Sequence, residues 1–229
     1  EEAGRFYELT EALDRENHYM IANMLSVRRS LEHANEKRRE MEKANERLLE
    51  KSETDPLTRL ANRFRLNDYL ERAFERTRDD HRAFAVEILD IDYFKEYNDN
   101  YGHQAGDACI VAIADELRKM QSHDTFCARY GGDEFIIIYE YKTEDEVFSM
   151  ADSLRERILD RRIEHVCSKA LPVVTISQGI CFDVAPEGSR SWDFLHAADM
   201  MLYEVKKRSR NNISLGHLDA KEARYGEER

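Results

Sequence analysis

From residue 6 to residue 48 every seventh position is apolar: Phe6, Leu13, Met20, Val27, Ala34, Met41 and Leu48. Seven residues are close to two helical turns, so these side chains form one seam, of the kind buried when helices wind around each other. The companion seam, Thr10, Asn17, Met24, Leu31, Arg38 and Asn45, is mixed. Polar residues at such positions fix register and strand number while lowering stability. Residues 1–51 are therefore expected to form a long helix in a parallel coiled coil, most simply a dimer. A lone amphipathic helix packed on its own domain carries the same stripe, because one stripe does not name its partner.

The pattern breaks at Asp55-Pro56, where proline pushes the preceding residue out of the helical region. Beyond it the spacing predicts a helix over 62–78 through Phe64, Leu66, Tyr69, Leu70, Ala73 and Phe74. A largely apolar run over 84–92 has strand length. A second helix is expected over 105–120, and two β-rich runs, 126–130 and 135–141, flank Gly131-Gly132 as in a tight hairpin. Residues 144–163 read as helix, 173–182 as strand and 192–208 as helix. Strands alternating with helices predict an α/β (α+β) domain, with a central mixed sheet surrounded by helices. The charged stretch 216–229 reads as a peripheral or disordered tail.

Of the 229 residues 36% are charged, above the ~25% of ordinary globular chains, as expected if part of the chain is a solvated helix. A net charge of -12 argues against nucleic acid as a partner, since its binders show a clustered basic face. Cys109, Cys127, Cys167 and Cys181 are widely spaced, without zinc or redox spacing, and read as buried thiols. No apolar run approaches the ~18 residues of a membrane span and no signal peptide opens the chain. The expectation is a soluble, cytoplasmic piece with no membrane contact of its own. The first residue is Glu1, so it is expected to come from a longer sensor protein, free or membrane-bound, with an upstream sensor domain.

Two acidic pairs fall at strand ends or turns: Asp90 and Asp92, separated by Ile91, and Asp133-Glu134 in the hairpin. On strand alternation Asp90 and Asp92 share a face. If their strands are neighbours, the pairs converge on a site suited to magnesium and nucleotide phosphates, although acids are also ordinary at turns. Lys95 and the Lys206, Lys207, Arg208, Arg210 group supply positive charge; basic residues also simply favour a helix C-terminus. Acidic metal ligands flanked by separate cations are what phosphoryl transfer needs. Asn98, Tyr101, Gly102, His103, Gly106 and Asp107 form a glycine-punctuated turn able to bind a base.

The ordered set Asp90-Ile91-Asp92-Tyr93-Phe94-Lys95, Asn98-Asp99, Gly102-His103, Gly106-Asp107 and Arg129-Tyr130-Gly131-Gly132-Asp133-Glu134-Phe135 resembles the GGDEF-domain diguanylate cyclases. Asp55-Pro56-Leu57-Thr58 and the residues to Arg63 resemble the segment that opens that domain, and the likeness covers about 52–215. The resemblance implies a nucleotide-cyclase, palm-like fold that makes cyclic di-GMP from two GTP. It also implies a homodimer, since each domain binds one GTP. Magnesium, or manganese in its place, would be held by Asp90, Asp133, Glu134 and the carbonyl of Ile91. Asp133, Glu134 and Lys95 would be catalytic. Asn98 and Asp107 would read guanine with His103 nearby, while Lys206, Arg210 and the backbone at Tyr93 and Phe94 would grip the phosphates.

Three positions depart from the family pattern. Ser122 and Thr125 stand where many members carry an Arg-x-x-Asp product-inhibition site, so feedback through that site is expected to be absent. Ser209 replaces a usual glycine before Arg210, and Gln178 replaces an apolar residue, which reads as a packing variant. A degenerate domain that only senses GTP or cyclic di-GMP is the alternative. Such domains usually show damage in the hairpin or at the first aspartate, whereas Asp90, Asn98, Asp107, Asp133, Glu134 and Lys206 all stand.

Overall fold

The structure, a computed structural model, describes Met20, Met24, Arg28, Arg29, Leu31, Glu32, residues 34–41, residues 53–218 and Arg224–Tyr225. The chain divides into two compact units, Glu1–Ser52 and Glu53–Arg229. Most of the heptad seam lies outside the described residues. Its described members, Met20, Ala34 and Met41 in one seam and Met24, Leu31 and Arg38 in the other, are helical and exposed.

In the second unit, α1 (Arg63–Asp79) starts where the Asn62 side chain accepts from the Arg65 N–H at 3.0 Å, satisfying one of the helix's free donors. Then follow β1 (Ala83–Ile91), α2 (Phe94–Tyr101), α3 (His103–Met120), β2 (Thr125–Gly131), β3 (Glu134–Glu140), α4 (Glu144–Asp160), β4 (Ile176–Val184), α5 (Ser191–Arg208), β5 (Ile213–Gly216) and β6 (Arg224–Tyr225). The six strands form one sheet in the order β2-β3-β1-β4-β5-β6. All its pairings are antiparallel except β4 with β5, so the sheet is mixed.

Alternation along β1 sends Ala85, Leu89 and Ile91 into one apolar cluster with α3 and α4, and Phe84, Val86 and Ile88 into another with α1 and α5. A fully buried Leu or Phe contributes about 1.5–3 kcal/mol through removal from water, so both faces of this central strand anchor the sheet. One close approach places α5. A Cβ at Gly179 of β4 would lie 2.2 Å from the backbone nitrogen of Leu202, so only glycine lets the helix lie against the strand here.

Two segments differ from the sequence reading. Residues 98–107, read as a turn, are instead the end of α2 and the start of α3, because Phe94 and Tyr97 bury themselves on one side of a short helix. The stretch after Leu215, read as peripheral, returns to the sheet: Arg224–Tyr225 pairs antiparallel with β5, while residues 219–223 and 226–229 lie outside the described set.

Candidate active site

The β1 strand carries Asp90 near its C-terminal end, opposite Glu134 of β3 on one side and Ser177 of β4 on the other. The two acidic pairs do converge, because β1 and β3 are neighbours. Between β2 and β3 the turn is only Gly132-Asp133, with Gly132 at φ 54°, a conformation that favours glycine. A register shift between Arg129 and Gly131 marks a bulge just before it.

From the last turn of α5, Lys206 Nζ sits 2.8 Å from Asp90 Oδ2. Burial pushes the Asp90 carboxyl up to about 6; Lys206 pulls it down, and the nearby Asp133 and Asp92 charges push it further up. Glu134 is also raised, first by burial, with Lys206 opposing and Asp133 and Asp199 reinforcing. Acids this close resist ionising together, which concentrates negative potential where a cation would be favoured. Among the described residues no three His, Cys, Asp or Glu side chains converge as a preformed metal cluster. Beside Glu134 a cleft of about 330 Å³ opens between the sheet and α5, walled by Tyr130, Trp192, His196 and Asp199.

Asp92 has a different role from Asp90. Its carboxylate accepts from Thr175 Oγ1 at 2.6 Å, Ser177 Oγ at 2.7 Å and the Asn211 N–H at 3.0 Å. Ser177 also faces Asp90 across the strands, so the two acids share a side as alternation requires. With its lone pairs occupied, Asp92 ties the end of β1 to β4 and to the turn after α5. That turn brings in Arg210, whose guanidinium stacks 4.5 Å from the ring centre of Tyr93 and lies 3.9 Å from Asp92 Oδ1. Ser209 keeps an ordinary backbone (φ -132°). The positive φ falls on Arg210 (53°) and Asn211 (43°) instead, so the missing glycine does not disturb this turn. Tyr93 is likewise left-handed, at φ 56° and ψ 32°, a conformation costing a bulky residue on the order of 1–3 kcal/mol.

On the other side of this turn, α2 and α3 meet at Gly102 (φ 82°). Asn98 Oδ1 is buried without a hydrogen-bond partner, and a Cβ at Gly106 would lie 1.9 Å from that oxygen. Asp107 is exposed one turn into α3, and His103 is exposed at its first position. Lys95 is exposed on α2 and is not drawn into contact with the acids. Thus Asp90, Glu134 and Lys206 come together, Arg210 joins Tyr93, and Asn98 with Asp107 flanks the α2–α3 corner.

Comparison with known proteins decides the family: the diguanylate cyclase GGDEF domain matches residues 52–212. The chain belongs to the GGDEF family. Two relatives from Pseudomonas aeruginosa, the bifunctional diguanylate cyclase/cyclic di-GMP phosphodiesterase MucR and the diguanylate cyclase DgcP, are each 35% identical. They match over 69% and 72% of this chain but over only 22% and 24% of their own lengths. Among solved structures, the coiled coil and GGDEF domain of DgcB from Caulobacter crescentus, in complex with c-di-GMP, aligns with a TM-score of 0.67 at 28% identity. That alignment covers 83% of this chain and all of that one. No helix among the described residues of this GGDEF chain is long and apolar enough to cross a membrane.

Sequence reasoning missed two parts of this GGDEF site. Arg129 forks between Asp55, at 3.1 Å, and the carbonyl of Gly132, at 2.7 Å, pinning the hairpin to the segment that opens the domain. Both residues stood in the recognised motifs, and only their spatial pairing was hidden. Gln178, read as a packing variant, also carries polar contacts: its Nε2 donates to Glu87 Oε1 at 2.7 Å and to the Ala151 carbonyl at 3.0 Å. Tyr139 donates to the other Glu87 oxygen at 2.7 Å. The signal was Glu87 itself, an acid in the middle of an apolar strand, which needs a polar partner.

Proposed function

We propose that this chain condenses two GTP molecules into cyclic di-GMP with release of two pyrophosphates, working as a dimer with one GTP per subunit. The observation that carries this reading is the placement of Asp90 opposite Glu134 with Lys206 on its carboxylate. Arg210 and the left-handed Tyr93 turn on one side, and Asn98 with Asp107 on the other, complete a site with separate ends for phosphate and base.

Each part has chemistry to match. The carboxylates of Asp90, Asp133 and Glu134 and the carbonyl of Ile91 are hard oxygen donors, which suit magnesium or manganese held jointly with substrate phosphates. When bound, such an ion would lower the pKa of a ribose 3'-hydroxyl and stabilise charge on the α-phosphate. Lys95, Lys206, Arg210 and the backbone amides at Tyr93 and Phe94 would neutralise and orient the phosphates, the main task in phosphoryl transfer. Asn98, with its unpartnered buried oxygen, and Asp107 would read guanine, with His103 at the rim. A carboxylate at Asp107 accepts from both guanine N1–H and the exocyclic amine, whereas adenine offers an acceptor there and leaves the acid unpaired. Discrimination of this polar kind can reach about 10^4.

Bond formation joins the 3'-oxygen of one GTP to the α-phosphorus of the other. Pyrophosphate leaves, the hydroxyl proton passes to a base or solvent, and the same exchange in the opposite sense closes the ring. Each subunit contributes half of the centre, so the partner is a second copy of this chain, brought by the N-terminal heptads; exposed Met20, Met24, Leu31 and Met41 support that use. Ser122 and Thr125 in place of Arg-x-x-Asp leave the enzyme without feedback through that site. Signal input would come from an upstream sensor domain, with this piece of the protein in the cytoplasm.

The test is to incubate a demonstrably dimeric sample with GTP and magnesium and identify the product by mass. Cyclic di-GMP is expected, and Asp133→Asn should abolish it. GTP binding with no product would replace catalysis with a sensor role.

A further inference from the structure

We infer that His165, outside every motif of the site, is a positioning residue that holds the phosphate-facing turn at Tyr93; the inference rests on the cyclase reading above. His165 lies in the segment between α4 and β4 and is completely buried. Its backbone is fixed by a fold-back of that segment. The His165 N–H donates to the Pro172 carbonyl at 3.0 Å, the Ser168 N–H donates to His165 at 3.1 Å, and Val174 N–H donates to Ile163 at 2.8 Å. The ring stands edge-on to Tyr97, 5.1 Å between centres at 88°. Beside it the Val166 N–H donates to Tyr101 Oη at 3.1 Å. The imidazole is thus delivered to α2 by a rigid support.

Its Nε2 reaches the Tyr93 carbonyl at 3.1 Å. A carbonyl only accepts, so Nε2 carries the hydrogen in this contact. That carbonyl also accepts the Tyr97 N–H at 3.0 Å, the bond that opens α2. Two donors on one oxygen, from the helix and from a distant segment, set the orientation of a peptide whose residue is left-handed. The next N–H groups along the chain belong to the start of α2, where backbone donors lack helical partners. Arg210 stacks on the Tyr93 ring from the other side. Its Nδ1 is buried without a hydrogen-bond partner, so the bond to the Tyr93 carbonyl is the polar contact of the ring that a phenylalanine would lose while keeping an edge contact with Tyr97.

A role through the phosphate turn differs from a role in packing by which part of the nucleotide feels its loss. The full chain is titrated with a non-hydrolysable GTP analogue and with GMP, for the wild type, His165→Phe and His165→Gln, with thermal unfolding as a check on folding. His165→Phe keeps the ring but loses the donor. It should weaken the triphosphate by about tenfold, the scale of one backbone hydrogen bond, and leave GMP nearly unchanged. His165→Gln can return an amide N–H to the Tyr93 carbonyl and should recover most of the loss. Equal weakening of both ligands, or no weakening in a folded His165→Phe, overturns the inference. Should His165→Phe fail to fold, the comparison moves to His165→Gln against His165→Asn, whose shorter amide cannot reach. Equal triphosphate affinity in those two overturns it as well. A wild type that binds neither GTP analogue nor GMP overturns the cyclase reading, and this inference with it.

Discussion

A Cβ at Gly106 would lie 1.9 Å from Asn98 Oδ1, so a side chain fits there only if the Asn98 amide moves. Gly106→Ala is expected to push Asn98 off its position and raise KM for GTP at least about tenfold. The helix itself should gain slightly from alanine's propensity, so the thermal midpoint should move little; calorimetry beside steady-state kinetics checks both. Glu87 offers a pH test. Burial pushes its carboxyl up to about 7, although Gln178 and Tyr139 act to lower it. The folded chain therefore holds this proton more tightly than the unfolded one. Its stabilising contribution is complete below the ordinary glutamate range and is lost as pH rises through about 7. Glu87→Gln removes that dependence. Relative to wild type it should gain about 2 to 3 kcal/mol between pH 5 and pH 8, measured by denaturant unfolding at both values. The motif residues were readable one by one because their chemistry is local. The partners of Glu87 and Asp92 lie between 52 and 119 positions away, and no local pattern points to them.

At the scale of elements, the hairpin is held from outside itself. Arg129 and Asp55 are largely buried, with side chains 14% and 17% exposed. Burial acts to raise the Asp55 carboxyl, but hydrogen bonds from Thr58 and Arg129 outweigh it and hold it below its usual range. Arg129→Ala leaves Asp55 without its cation and Gly132 without its donors. A loss of about 2–4 kcal/mol is expected, with turnover falling at least tenfold at temperatures where the variant remains folded. Arg129→Lys keeps the charge without the fork and should fall between; chemical denaturation and product formation measured together decide it. Helix and strand positions were legible because the periodicities are strong. α2 was not, because eight residues flanked by a left-handed tyrosine and a glycine carry too little period to separate helix from turn. β6 was missed because two residues in a charged stretch have no strand signature; pairing with β5 makes them one.

The molecule as a whole divides into a stretch with a heptad repeat and a GGDEF domain, which in the proposed function carries half of a two-substrate centre. If the heptads set how two such domains face each other, then inserting four residues near Ser52 should change cyclic di-GMP output several-fold, because it rotates the seam. Seven inserted residues restore the repeat and should leave output close to wild type. Equal activity in both insertions, measured on dimers of equal mass, would remove the seam from any role in control. This level was legible only as a pattern, since a stripe names neither its partner nor the facing of two domains.

The central place of β1 also bears on how the chain is made. Its neighbours β3 and β4 begin at Glu134 and Ile176, so as the chain leaves the ribosome this apolar strand waits unpaired on one edge until β3 emerges and on the other until β4 does. Long-range antiparallel pairing of this kind folds slowly, and a half-assembled sheet exposes open edges that join other chains. The sheet order that sets Asp90 beside Glu134 thereby leaves both edges of β1 open during synthesis until its neighbours emerge.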